Sequence, residues 1–280
     1  MDYRAMVNPT YVTAKTTLFM LAGAENEDAR RMIGALGTQD ELSQNMRKDN
    51  GGKLSMPEAE LNALKTGSSA AIEARYEALS HYLRKEGYTN LLDIACGYTP
   101  RAIYCANADI DYVGVDVPVV AETLEKLAEK IGLSQKHPTY IGADATNAAS
   151  LAAAANLLHG PLLISCEGLT QYLSADEFEQ FLGGVREILF RNGGAWVTSD
   201  MSVDYEAFAT ACMSSPNAAA MYRSAKQAAM SSSNVYGDGV ALWDAERKQA
   251  FIEAHGFRVE KVPVYDEDGA LVTLRDSPEA

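Results

Sequence analysis

The sequence predicts an α/β fold built on a seven-stranded sheet, with five parallel strands and a C-terminal antiparallel pair. Three observations carry this. Short apolar runs alternate with helical stretches from residue 90 to about residue 200, the pattern of a parallel sheet covered on both faces. The last two strand-like segments are joined by a connection too short for a parallel crossover. Residues 1–88 hold no convincing strand, which predicts a helical N-terminal cap.

Within that first region, helix-like composition covers Val12–Gly23, Glu27–Leu36, Gln39–Met46, Pro57–Leu64 and Ala70–Lys85, broken by Gly23, Gly37, Gly51-Gly52 and Gly67. Ile72, Tyr76, Leu79 and Leu83 recur at spacings of three or four, so Ala70–Lys85 is an amphipathic helix that ends near Gly87. Strands are then expected at Asn90–Ala95, Tyr112–Asp116, Thr139–Ile141, Leu162–Cys166 and Ala195–Thr198. Helices are expected between them at Pro100–Asn107, Val119–Ile131, Ala148–Leu158 and Ala175–Phe190, and after them at Asp244–His255. Phe257–Tyr265 and Ala270–Arg275 close the chain as strands joined through Asp266-Glu267-Asp268-Gly269. A nicotinamide-binding domain would usually continue with a parallel sixth strand, so the closing pair points elsewhere.

This divides the chain into a helical cap at 1–88 and a sheet domain at 89–280, with an insertion at about 201–242. The insertion is rich in Ala, Ser and Met and falls between the fifth strand and the last helix. There it would lie above the carboxyl ends of the strands, as a helical lid beside a ligand crevice. A purely stabilising decoration fits any one of these helices equally well.

Composition narrows the function classes. The 38 acidic residues outnumber 24 basic ones, for a net charge of −14, and no basic run exceeds two residues. Nucleic-acid surfaces need clustered Lys and Arg, and anionic membranes favour the same. The expectation is therefore a small-molecule partner, with no nucleic acid and no membrane. The start of the chain has no basic region followed by an apolar stretch, so a cytoplasmic address is expected. Cys96, Cys105, Cys166 and Cys212 show no metal-ligand spacing, which predicts no metal and no disulfide framework. Cys96 and Cys166 lie in strand-like contexts, where a reduced cysteine acts as a small hydrophobe.

The first strand ends in Asp93-Ile94-Ala95-Cys96-Gly97-Tyr98-Thr99-Pro100. Small residues let the backbone approach a ligand, Gly97 allows a tight turn, and Pro100 suits the start of a helix. Asp116 closes the second strand about 20 residues beyond this turn, where a carboxylate can accept from both ribose hydroxyls of an adenosine ligand. It could also cap the helix that begins at Pro118-Val119. Asp144, after the third strand, can accept from an adenine amino group while the Ala145 amide donates to a ring nitrogen; the alternative is a cap for Asn147–Leu158. Glu167 follows the fourth strand and points into the crevice or serves as a buried structural carboxylate. Ser174 and Glu177 form a capping box for the next helix.

From Leu91 to about Phe190 the chain resembles the leucine carboxyl methyltransferase family, which includes polyketide O-methyltransferases. That family's first turn commonly reads Gly-Ala-Gly-x-Asp-Thr-Arg, against Ala95-Cys96-Gly97-Tyr98-Thr99-Pro100-Arg101 here. Its Asp-x-Pro matches Asp116-Val117-Pro118, its third-strand Asp matches Asp144, and its Glu-Gly-x-x-x-Tyr-Leu matches Glu167 to Leu173. The resemblance implies a Rossmann-like class I methyltransferase sheet with S-adenosylmethionine held by Gly97, Asp116, Asp144 and Glu167. Asp93, Ala95, Val117, Ala145 and Gly168 adjoin these positions and complete the expected cofactor set. The resemblance also suggests an arginine on the preceding helix, Arg75, for the methionine carboxylate. Ala95 in place of glycine and Thr99-Pro100 in place of Asp-Thr are departures at the methionine end.

Methyl transfer is an in-line displacement that depends on positioning and desolvation. A carboxylate acceptor needs no general base, whereas a hydroxyl benefits from one. His81, His137, His159 and His255 all read as structural. Tyr11, Tyr172, Tyr205 and Tyr222 are the substrate-side candidates, with Tyr236 a further one. The expected activity is O-methylation of a small-molecule carboxylate or hydroxyl. Alternatives are protein or peptide carboxyl methylation, a cofactor-binding regulator without catalysis, and a nicotinamide-dependent oxidoreductase.

Overall fold

The computed structural model describes residues 9–37, 58–133, 138–201, 240, 243–262 and 269–274. Helices α1 (Pro9–Gly23), α2 (Glu27–Leu36) and α3 (Glu58–Lys85) come first. There follow β1 (Asn90–Ile94), α4 (Arg101–Asn107), β2 (Asp111–Asp116), α5 (Pro118–Lys130), β3 (Thr139–Gly142), α6 (Ala148–Ala155) and β4 (Leu162–Cys166). A 3₁₀ turn at Thr170–Tyr172 leads into α7 (Ala175–Asn192), then β5 (Gly194–Thr198), α8 (Ala245–Ala254), β6 (Phe257–Val262) and β7 (Gly269–Leu274).

The seven strands form one sheet in the order β3-β2-β1-β4-β5-β7-β6. β1 pairs in parallel with β2 and β4, β2 with β3, and β4 with β5. β7 runs antiparallel to both β5 and β6, as the short closing connection requires. The chain winds outward from β1 to β3, then returns to β4 on the other side of β1. The carboxyl ends of β1 and β4 therefore flank the switch point where ligands bind in open α/β sheets.

Side-chain alternation sends residues to two cores. Leu91, Tyr112, Leu163, Ala195 and Val197 face a cluster that includes Leu18 and Leu21 of α1, Met32 of α2, Tyr76, Leu79 and Leu83 of α3, and Leu124 and Leu127 of α5. Leu92, Ile94, Val113, Val115, Ile164 and Trp196 face a second cluster with Leu151 of α6, Phe178, Phe181 and Val185 of α7, and Ile252 of α8. The N-terminal helices thus share a core with the sheet instead of standing apart from it. Their attachment is reinforced at α5, where Arg31 donates to the Ile131 carbonyl and Lys130 to that of Ala35. These cations meet carbonyls left over at helix C-termini.

Local signals account for most boundaries. Asn26 caps α2 and Gly37 ends it in the left-handed region. Ser174 and Glu177 form the expected capping box on α7. One correction concerns α3, which runs unbroken from Glu58 to Lys85 through Gly67. A single interior glycine costs about 1 kcal/mol relative to alanine, and tertiary packing of the helix offsets it. The helix expected at Gln39–Met46 and nearly all of the 201–242 insertion lie outside the described residues.

Candidate active site

The turn after β1 is built around two residues in the left-handed region, Ala95 at φ 56° and Gly97 at φ 53°. Alanine pays a steric penalty there that glycine avoids, roughly 1–2 kcal/mol. The turn is held by Cys96, whose amide donates to the Val115 carbonyl at 3.2 Å, and by Thr99, whose hydroxyl donates to the Cys96 carbonyl at 3.1 Å. Tyr98 is fully buried and anchors the turn in the core. A side chain on Gly97 would come 3.7 Å from Ala14 of α1, so α1 lies directly over this turn.

Asp116 meets the turn across the sheet. Its Oδ2 accepts from the Gly97 amide at 2.8 Å, and its Oδ1 from the Val117 amide at 2.8 Å. The cap of α5 is Val117, with no side-chain hydrogen bond, so Asp116 does not serve as the helix cap. Burial raises the Asp116 pKa, opposed by these two amide bonds. Next to it, Val117 is 49 % exposed, an apolar surface beside a carboxylate. Asp144 lies close by, two residues after the Gly142 that pairs with Asp116. Its Oδ1 accepts from the amide and the hydroxyl of Thr146 at 2.8 and 2.7 Å, while Asn147 caps α6 in its place. Asp144 is exposed and Ala145 half-buried.

Asp93 sits under the turn. Ser165 of β4 donates to its Oδ1 at 2.6 Å and Tyr112 of β2 to its Oδ2 at 3.0 Å, which ties the three central strands together. Burial lifts its pKa to about 6, against the pull of Arg101 and the hydrogen bond from Ser165. Burial likewise pushes the Cys96 and Cys166 thiols up. They stay protonated at neutral pH, as small apolar fillers do.

Glu167 follows β4 and is met by a residue the sequence reading left without a role. Arg101 opens α4 and is only 1 % exposed. One Nη1 donates to the Tyr76 carbonyl and the Ser80 hydroxyl of α3, both at 2.7 Å, and the guanidinium lies 4.2 Å over the Tyr76 ring. Its Nη2 faces Glu167 Oε2 at 3.4 Å. Arg101 thus links α3, the β1 turn and the end of β4. It stands where the family motif ends in Arg, a signal visible in the sequence, although the Glu167 partner 66 residues away was not. Arg75, one residue before Tyr76 on α3, is half-buried.

Gly168, at φ 80°, donates its amide to Asp200 Oδ1 at 2.6 Å. Ser199 donates to Glu167 Oε1 at 3.5 Å. Ser199 and Asp200, the two residues after β5, were also missed, although an acid at or just beyond a strand's carboxyl end is the signal that marked Asp116 and Asp144. Tyr172 is half-buried in the 3₁₀ turn. The Tyr11 side chain, Tyr205, Tyr222 and Tyr236 lie outside the described residues, as does His137. His81 and His159 are exposed, and His255 ends α8 with Nδ1 at 2.7 Å from the Phe251 carbonyl. Among the described residues, no group of three His, Cys, Asp or Glu could hold a metal ion. None of the described helices is long and apolar enough to cross a membrane.

No protein-family model matches the sequence, and no curated protein is significantly similar to it. Solved structures are similar in fold. A DUF574-family protein from Streptomyces avermitilis superposes with a TM-score of 0.55 at 16 % identity, over 88 % of this chain and 96 % of that one. A candidate methyltransferase from Thermobifida fusca gives 0.53 at 17 % identity, over 88 % and 93 %. An O-methyltransferase family protein from Burkholderia thailandensis gives 0.50 at 13 % identity, over 77 % of this chain and 61 % of that one. Together with the strand order and the antiparallel closing pair, these likenesses show that the chain has the fold of the class I S-adenosylmethionine-dependent methyltransferases.

Proposed function

We propose that this chain is an S-adenosylmethionine-dependent O-methyltransferase acting on a small-molecule carboxylate or hydroxyl. The observation that carries the reading is the set of strand-end carboxylates Asp116, Asp144 and Glu167 around the Gly97 turn at the switch point. S-adenosylmethionine is cationic at its sulfonium and its ammonium, and it carries two ribose hydroxyls. A set of acidic acceptors with an apolar neighbour at Val117 fits such a ligand. When bound, the cofactor supplies the methyl group.

The chain's own residues would act by holding and orienting. Asp116 has lone pairs left after the Gly97 and Val117 amides, which suits it to the ribose hydroxyls. Asp144 and the Ala145 amide suit the adenine edge. Glu167, steadied by Arg101 and Ser199, suits the ammonium end, and Arg75 the carboxylate. Overlying α1 helps exclude water from the turn, which strengthens each of these contacts.

A dinucleotide fits less well. The Gly97 amide, a donor that a pyrophosphate would need, is already engaged by the Asp116 carboxylate at 2.8 Å, which would also repel the phosphate charge. Calorimetry with S-adenosylmethionine, S-adenosylhomocysteine and NAD separates the readings. Binding of the two sulfur nucleosides, and not of NAD, is expected; the reverse sinks the proposal. Asp116→Ala should weaken binding about tenfold or more, as loss of charge-assisted hydrogen bonds costs about 1.5–3 kcal/mol. Cofactor binding with no transfer to any carboxylate or hydroxyl library would favour a regulatory protein.

A further inference from the structure

We propose that Asp200 is a positioning residue, one that sets the loop after β4 so that Glu167 faces the cofactor. This inference rests on the cofactor reading above. The loop Glu167–Leu169, between β4 and the 3₁₀ turn, has no regular structure of its own, and the polar groups there need partners. Asp200 accepts from three donors there. Its Oδ1 accepts from the Gly168 amide at 2.6 Å. Its Oδ2 accepts from the Thr170 amide at 3.0 Å and the Thr170 hydroxyl at 3.1 Å.

Asp200 is itself held firmly. The residue is 3 % exposed, its amide donates to Thr198 Oγ1 at 3.1 Å, and that hydroxyl donates to the Cys166 carbonyl at 2.7 Å. Its carbonyl accepts from Lys248 Nζ at 2.8 Å, a lysine on α8 that is 2 % exposed. A buried lysine from α8 thereby fixes the backbone that carries the carboxylate. Glu167 is then gripped from both directions: its backbone neighbours by Asp200, and its carboxylate by Arg101 and Ser199.

Both carboxylate oxygens of Asp200 are already engaged in holding the loop. Its charge acts by accepting from donors on both sides. An amide cannot do this, since in either orientation its NH₂ meets a donor. Asp200→Asn is therefore a sharp probe of the role: nearly the same shape, with at least one hydrogen bond lost.

The test measures S-adenosylhomocysteine affinity by calorimetry for wild type, Asp200→Asn, Glu167→Gln and the double variant. A stability control, Leu189→Ala, is chosen at the opposite end of α7, where a buried leucine can be truncated away from the site. Asp200→Asn is expected to lose about tenfold in affinity, while Leu189→Ala stays within about twofold despite a comparable fall in melting temperature. In the Glu167→Gln background the Asp200→Asn loss should largely vanish, since one residue acts through the other. Hydrogen exchange at the Gly168 amide should accelerate in Asp200→Asn alone. Wild-type affinity in Asp200→Asn, or losses that multiply independently, overturns the proposal. If Asp200→Asn does not fold, Thr170→Val removes one donor and carries the test. A two- to threefold loss that disappears with Glu167→Gln supports the role, and no loss refutes it. Failure of the wild type to bind S-adenosylhomocysteine would instead remove the cofactor reading on which this rests.

Discussion

Ala95 stands where the resembling family has glycine, and the backbone there still takes the left-handed conformation at φ 56°. The turn takes this conformation without the residue best suited to it, so the chain holds a strained alanine in the turn after β1. Ala95→Gly should relieve that strain and raise stability by about 1 kcal/mol in urea unfolding; a destabilised variant would show that the methyl group packs usefully. Asp93 makes a second prediction. Its pKa of about 6 lies above the ordinary value, so the fold favours its protonated form. That stabilisation is complete below about pH 4 and lost as pH rises through 6, about 3 kcal/mol in all. The stability of wild type relative to Asp93→Asn should therefore fall between pH 4 and 7. A difference that stays flat with pH would place the burial elsewhere.

At the level of elements, the pairing of β4 with β5 matters most, because it brings Glu167 and Asp200 side by side. Gly194 opens β5 at φ 101°, and a Cβ there would lie 1.9 Å from the Leu162 carbonyl oxygen. Gly194→Ala should cost more than about 3 kcal/mol and disturb cofactor binding with it, as read by thermal melts and calorimetry together. Element boundaries were largely legible beforehand, since caps and periodicity are local: Asn26, Ser174 with Glu177, and the apolar strands each carry their own signal. The unbroken α3 was not, because whether a helix bridges Gly67 depends on packing along its whole length. Its Tyr76, Leu79 and Leu83 fall in the same core as α1 and α2.

For the molecule as a whole, the strand order brings residues from four strand ends to the carboxyl edge of the sheet beside the switch point between β1 and β4. A ligand that binds only the folded state should stabilise it by about 2.7 kcal/mol at a hundredfold excess over its dissociation constant. S-adenosylhomocysteine at that concentration should raise the melting temperature by several degrees and NAD should not. The sequence by itself determined the sheet, the direction of its closing pair and the acids at strand ends, because each rests on short-range pattern and on connection length. Only the tertiary structure decided what those acids meet. Asp116 turns back onto the Gly97 amide, Asp93 sinks beneath the turn, Arg101 joins α3 to Glu167, and Asp200 holds the loop beside it. These are contacts between residues far apart in the chain, brought within hydrogen-bonding distance by the order of the strands, and no local pattern encodes that order.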